Sequence, residues 1–288
     1  MLVALLEDLL GGPLPTGFPA TSVEVGATCL GAQILFYLLF AFVAPPGPWK
    51  DSPGFTAHQC VVLPLISYIA YVGLTAWLAT PLAPDYATPA DRAVRLHDAG
   101  THITQIMLGQ LVIWDTPTGF AVKALRNTEM LVHHVLFAVV SYLSLANGVM
   151  SYYAVCFFGM IEVSSVPLAW VDVCHPRQKS WCAFADRHPA MGALNLVARG
   201  VFVLCYFVFR VGVFPYYMFV CPQSVLRDIA VLLAMEKPPV PSYALVGIAA
   251  TGIPLTLLQF YWAVLLVRQI RKMLSGDDGK EPNAKKSK

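Results

Sequence analysis

Charge is what this sequence has least of. Asp, Glu, Lys and Arg make up 12% of its 288 residues, while 57% fall in the apolar set; an ordinary soluble domain is about a quarter charged and about half apolar. That scarcity argues against a water-soluble globule. The signs also nearly cancel, nineteen basic against seventeen acidic residues for a formal +2, which leaves no field strong enough to make nucleic acid the partner. Motifs are missing too. The seven cysteines, at 29, 60, 156, 174, 182, 205 and 221, form no Cys-x-x-Cys pair and no Cys-His metal spacing, and read as small apolar core residues. There is no P-loop, Gly-rich dinucleotide fingerprint, haem-attachment motif or internal repeat. No metal and no resident cofactor is expected.

What is present is long apolar sequence. No charged residue occurs between Glu24 and Lys50, between Asp51 and Asp85, or between Lys237 and Arg268, and each gap exceeds the roughly 20 residues that cross a hydrocarbon core of about 30 Å. Spans are expected near Val25 to Val43, Cys60 to Thr80 and Tyr243 to Val267. Four more are read through isolated polar residues, near Gly100 to Trp114, Met130 to Ala146, Met150 to Val171 and Leu194 to Val220. The fold class is therefore an all-α membrane protein of about seven transmembrane helices. Asn147-Gly148 reads as a tight turn whose residues tolerate positive φ, making the fourth and fifth spans antiparallel neighbours.

Lys and Arg set the orientation. With seven spans, Lys50, Lys123, Arg126, Arg177, Lys179, Arg187 and the residues from Arg268 onward fall on one side, against Arg92, Arg95, Arg227 and Lys237 on the other. This predicts a luminal N-terminus and a cytosolic C-terminus. Residues 1–24 begin with an apolar run but meet Glu7 and Asp8 and lack a basic n-region, so a luminal segment is expected rather than a cleaved signal peptide. Residues 25–54 hold the first helix and loop, 55–270 the main bundle, and 271–288 a Lys-rich tail. The tail's Lys285-Lys286-Ser287-Lys288 looks like a dilysine retrieval signal of the endoplasmic reticulum; attraction of a solvated tail to anionic lipids is the alternative.

Ionisable residues inside spans are costly and become site candidates by default. His133 and His134 open the fourth span; one ring at most points fully into a bundle, as base, acyl acceptor or interhelical tie. Glu162 lies near mid-membrane, with Ser165 on its face and Pro167 freeing a backbone acceptor nearby. Arg199 and Arg210, eleven residues apart, share a face at α-helical spacing and suit a phosphate or carboxylate. Asp98, His102 and Gln105 form a stripe, with Asp98 expected to cap the helix start. Asp115 has little local reason to stand beside the interface anchor Trp114. At 1.5 Å per residue from the turn at 148, His134 and Glu162 both lie about 21 Å deep, which fits a site or a structural His–Glu bridge.

These residues resemble a known family. Leu131-Val132-His133-His134, Ser141-Tyr142, Asn147-Gly148, Tyr153 and Glu162-Val163-Ser164-Ser165 are similar to the core of the TLC-domain family, which includes the ceramide synthases. Asp115 sits where that family has an aspartate, and Phe209-Arg210-Val211 with Phe214-Pro215-Tyr216-Tyr217 resembles its Arg-then-Pro segment. The resemblance implies a TLC-type helical bundle in the endoplasmic reticulum or a related endomembrane, around a lipid-accessible cavity. In the synthases the paired histidines and a downstream acidic pair transfer an acyl group from acyl-coenzyme A to a long-chain base. Here Ser165 occupies roughly the place of the second acid and Ile161 that of a histidine before the first, a pattern closer to the smaller TLC-domain proteins of lipid homeostasis.

Two functions remain open at this point. One is a multi-pass lipid-handling protein whose partners are membrane lipids, sphingolipids among them. The other is an acyltransferase with acyl-coenzyme A as substrate, in which His133, His134, Glu162 and Asp115 carry the chemistry and Arg199, Arg210 and Ser165 hold lipid or phosphate. Neither a charge ladder nor a filter-like sequence supports a channel. The oligomeric state is left open, a homo-oligomer included.

Overall fold

The computed structural model describes residues 19–79 and 84–275, and among these there is no strand. Seven long helices form a bundle: α1 (Ala20–Val43), α2 (Pro53–Ala79), α3 (Asp98–Gly109, continued by π-helical turns Gln110–Asp115 and by Thr116–Ala121), α4 (Thr128–Asn147), α5 (Ser151–Val173), α6 (Pro189–Cys205, continued by π turns Tyr206–Val213 and Tyr216–Val220) and α7 (Ser242–Leu274). The expected luminal segment, up to residue 18, and the Lys-rich tail beyond Ser275 lie outside the described residues.

Six of the seven are long and apolar enough to cross a membrane; α3 is not. The reason lies in its position. α3 packs against α1, α2, α4 and α5, with Ile103, Thr104 and Trp114 fully buried and Gln110 nearly so. A helix surrounded by protein need not be apolar all round, because its polar groups face neighbours instead of lipid. α5 is the other interior helix, with 61% of its apolar window buried against 17–33% in the other five spans.

Glycine sets the closest crossing. A Cβ on Gly73 of α2 would stand 2.3 Å from the Cα of Gly159 in α5, so the two backbones touch only because both residues lack side chains. Val155–Gly159 in α5 is π-helical and Met160–Ser164 is 3₁₀. This irregular stretch precedes Pro167, where the free backbone acceptor was expected, and Ser164 Oγ donates to the Ile161 carbonyl at 2.8 Å.

The α4–α5 turn is tight, with Gly148 at φ 60°, but the second left-handed residue is Met150 at φ 63°, not Asn147, which ends α4. The two helices are antiparallel, yet α4 packs chiefly against α3 and α7, and α5 along α2, α3 and α6. Phe137 and Phe158, with ring centroids 5.5 Å apart, bridge α4 and α5 directly.

Connections alternate between the two ends of the bundle. Lys50, Lys123, Arg126, Arg177, Lys179, Arg187, Arg268, Arg271 and Lys272 gather at one end, the basic end. There Trp49 meets Trp181 and Phe184 of the helix Lys179–Arg187, with ring centroids 6.3 and 6.0 Å apart. Such a cluster suits a membrane interface. At the opposite end Arg92, on the short helix Pro89–Val94, is buried against Asp228 of the helix Val225–Leu233.

Candidate functional site

A cavity of about 460 Å³ opens toward the basic end and runs into the bundle, lined by α2 to α7. Ligand sites commonly occupy about 300–1,000 Å³. Its polar residues lie at two depths.

The shallower level joins three helices. At 1.5 Å per residue, Asp115 and His134 each lie about 9 Å inside their helix ends at Ala121 and Thr128. Asp115 bridges two histidines: Oδ1 is 2.9 Å from His58 Nε2, and Oδ2 is 3.5 Å from His134 Nε2. An ionised carboxylate only accepts hydrogen bonds, so His58 donates to it from Nε2–H. The His58 ring stacks on Trp114 at 5.1 Å and 25°, which holds the imidazole plane. His133 turns the other way, its ring against Phe137 at 4.5 Å and Trp262 at 5.3 Å. The Nδ1 atoms of all three histidines are buried and have no partner in the protein.

The deeper level is built around Arg210. Glu162 lies about 17 Å inside the end of α5 at Val173. Arg210 Nη2 donates to Glu162 Oε1 at 3.2 Å and to Ser165 Oγ at 2.7 Å, while Nε donates to Ser164 Oγ at 2.7 Å. Nη1 reaches Gln259 Oε1 at 3.4 Å, and Tyr206 donates to the Gln259 carbonyl at 2.8 Å. A guanidinium and a carboxylate so placed compensate each other's charge in a poorly solvated setting.

The sequence candidates therefore divide. Asp115, His133, His134, Glu162, Ser165 and Arg210 all line the one cavity. The nearest carboxylate to His134 is Asp115, and Glu162 pairs with Arg210. Arg199 is elsewhere: its Nη2 donates to the Cys174 carbonyl and its Nε to Asn195 Oδ1, both at 3.2 Å, tying α6 to the end of α5. The shared face expected for Arg199 and Arg210 assumed α-helical spacing, and the π turns from Tyr206 hold more residues per turn, so that register is lost. The stripe Asp98, His102 and Gln105 does not line the cavity; His102 meets Tyr68 Oη at 3.0 Å. The cap of α3 is His97, whose Nδ1 accepts from Gly100 N–H at 3.3 Å, so Asp98 is the first helical residue rather than the cap.

Sequence reasoning missed His58, Asp172 and Gln59, which also line the cavity. His58 sits in an interval counted as free of Asp, Glu, Lys and Arg, a count blind to histidine. A search for any polar side chain near a span's first turn finds it. At the cavity mouth, Arg126, Arg177, Gln178 and His175 come from the basic-end loops. Partial burial, then the neighbouring Arg177 and Arg199, hold His175 below the usual histidine range, so it is neutral near pH 7. Among the described residues no group of three His, Cys, Asp or Glu side chains has the geometry to hold a metal ion.

Chemically, the shallower level offers an oriented imidazole beside an acid, and the deeper one a cation fixed among a carboxylate and two hydroxyls. A model of the TLC domain matches residues 54–268, which covers both levels. No curated protein and no solved structure matches the chain significantly.

Proposed function

Because the chain belongs to the TLC-domain family, we propose that it handles acyl lipids in the endoplasmic-reticulum membrane, holding the polar part of a lipid in its cavity with the basic end in the cytosol. One observation carries this reading: a cavity of about 460 Å³ inside an apolar bundle, with polar residues at its two inner levels and at its mouth and apolar side chains such as Val62, Leu131, Leu168 and Leu266 along its walls. That division matches an amphiphile, whose head needs hydrogen-bond partners and whose chain needs none. The sided distribution of Lys and Arg supports the orientation.

Native mass spectrometry of the purified protein, paired with lipidomics of cells lacking it, tests the proposal. A co-purifying acyl lipid whose cellular level changes on deletion is expected. Protein that carries no lipid, from cells whose lipid composition does not change, overturns it.

Acyl transfer is the second reading, favoured by Asp115 between His58 and His134. A carboxylate behind an imidazole fixes its tautomer and raises its basicity. In that reading the imidazole takes the proton of an amine or hydroxyl as it attacks an acyl thioester, and returns it to the leaving thiolate. Turnover of acyl-coenzyme A with a long-chain base, lost in His134→Ala, supports this chemistry; no turnover across acceptors and chain lengths removes it.

A further inference from the structure

The cavity wall is thinnest between α6 and α7. On α7, Trp262, Leu265, Leu266 and Gln269 line the cavity, and Leu265 is 40% exposed. A lining residue that keeps so much accessible surface stands at an edge of the cavity rather than within a closed wall. Phe202 and Tyr206 line the same side from α6, and their neighbours Val201 and Leu204 face outward at 44% and 66% exposure.

Packing explains why the wall is thin there. The first half of α6 packs against α5 and the helix Lys179–Arg187, while α7 packs against α4 and the helix Val225–Leu233. α6 and α7 meet at the π turns Tyr206–Val213, where Tyr206 Oη donates to the Gln259 carbonyl. This seam closes the inner end of the gap. From Trp262 to Gln269 the gap runs about 10 Å along α7, a substantial part of the roughly 15 Å depth of one leaflet's hydrocarbon. Trp262 stands at its inner edge with its ring against His133.

We propose that an acyl lipid of the leaflet at the basic end enters the cavity sideways between α6 and α7. Its chain passes the apolar edge formed by Phe202, Trp262 and Leu265, and its head reaches the polar levels without crossing the aqueous mouth. The proposal rests on the lipid-handling reading and adds the route and the leaflet. Along this path the chain stays out of water, which avoids the cost of exposing apolar surface at about 25 cal/mol per Å².

The test bridges the gap after folding. Phe202→Cys and Leu265→Cys are introduced together, and the purified full-length protein is reacted with a bismaleimide; the same protein before bridging is the folding control, and unsubstituted protein given the reagent controls for the native cysteines. Each sample is mixed with phosphatidylcholine vesicles holding palmitic acid that carries a mid-chain diazirine and a terminal alkyne, and photolabelling is followed over time. Unbridged protein is expected to label on cavity peptides, and bridging to slow labelling at least tenfold. Equal rates before and after bridging overturn the lateral route while leaving lipid binding intact. An absence of cavity labelling in the unbridged protein overturns lipid handling itself and the route with it.

Discussion

Removing Arg92 tests whether the end of the bundle away from the cavity mouth is held by one buried charge pair. Its side chain and that of Asp228 are 3% and 1% exposed. Nε donates to Asp228 Oδ2 at 2.6 Å and Nη2 to Oδ1 at 2.8 Å, a bidentate fork. Nη1 donates to the carbonyls of Tyr86 and Ala87 at 2.9 and 3.0 Å, and Tyr153 Oη bonds to both Asp228 and the Gln223 carbonyl. Arg92→Ala strands Asp228 without its cation and leaves those carbonyls without donors. Breaking a buried pair from one side costs about 3–5 kcal/mol, whereas replacing both partners by apolar groups of similar volume is often neutral. At about 2–4 °C per kcal/mol for a chain of this order of size, the single variant is expected to melt on the order of 6–20 °C lower. The double variant Arg92→Met with Asp228→Leu should recover most of that loss. Thermal unfolding in detergent, followed by tryptophan fluorescence, reads both. An Arg92→Ala protein melting within about 2 °C of the unsubstituted one, or a double variant no better than the single, refutes the reasoning.

Other outcomes follow from the same geometry. In Asp115→Asn one side of the bridge becomes an N–H₂ donor, which forces one of His58 and His134 into the other tautomer; lipid retention in native mass spectrometry should fall at least tenfold, and undiminished retention takes the pair out of the head site. Arg210→Ala leaves Glu162 without its cation and Glu162→Gln leaves the Arg210 guanidinium without its anion, so each breaks the buried pair from one side and should cost about 3–5 kcal/mol; either variant unfolding at the temperature of the unsubstituted protein contradicts the pairing. Gly73→Leu places its Cβ 2.3 Å from the Gly159 Cα, so loss of monodisperse protein on size exclusion is expected, and a normal profile argues against that crossing. A glycosylation sequon fused at the N-terminus should be modified and one at the C-terminus should not; the opposite pattern inverts the orientation.

Much of the site was legible because the membrane makes polarity conspicuous. Asp115, Glu162 and Arg210 stand out in apolar runs for the same reason that the structure gives each a charged or imidazole partner. Partner identity was less legible. Equal depth along antiparallel helices suggested His134 with Glu162, but the two stand at different levels of the cavity, and α4 turns its contacts toward α3, which brings Asp115 to His134. Arg92 and Asp228 read as loop residues in sequence because their pairing spans 136 positions, and no local spacing encodes it. Periodicity also failed where the helix was not α: the π turns of α3 and α6 carry Asp115 and Arg210 and the 3₁₀ turn of α5 carries Glu162, whereas His58, His133 and His134 stand on regular α-helix.

The histidine ring nitrogens at the shallower level are not all satisfied by the protein. An interhelical histidine kept only to join helices uses both ring nitrogens, because a buried polar atom left alone costs about 1–3 kcal/mol. Here His58 uses one nitrogen on Asp115, His134 approaches it with one, and His133 meets only aromatic rings, so three Nδ1 atoms are left over. All three side chains line the same cavity. Each Nδ1 is itself buried away from that space in this conformation, so in the proposed reading a lipid head bonds to one only when its imidazole turns. The Asp115 bridge and the Arg210 cradle hold the polar frame around the cavity, and the wall from Leu131 toward Leu266 offers an acyl chain apolar contact.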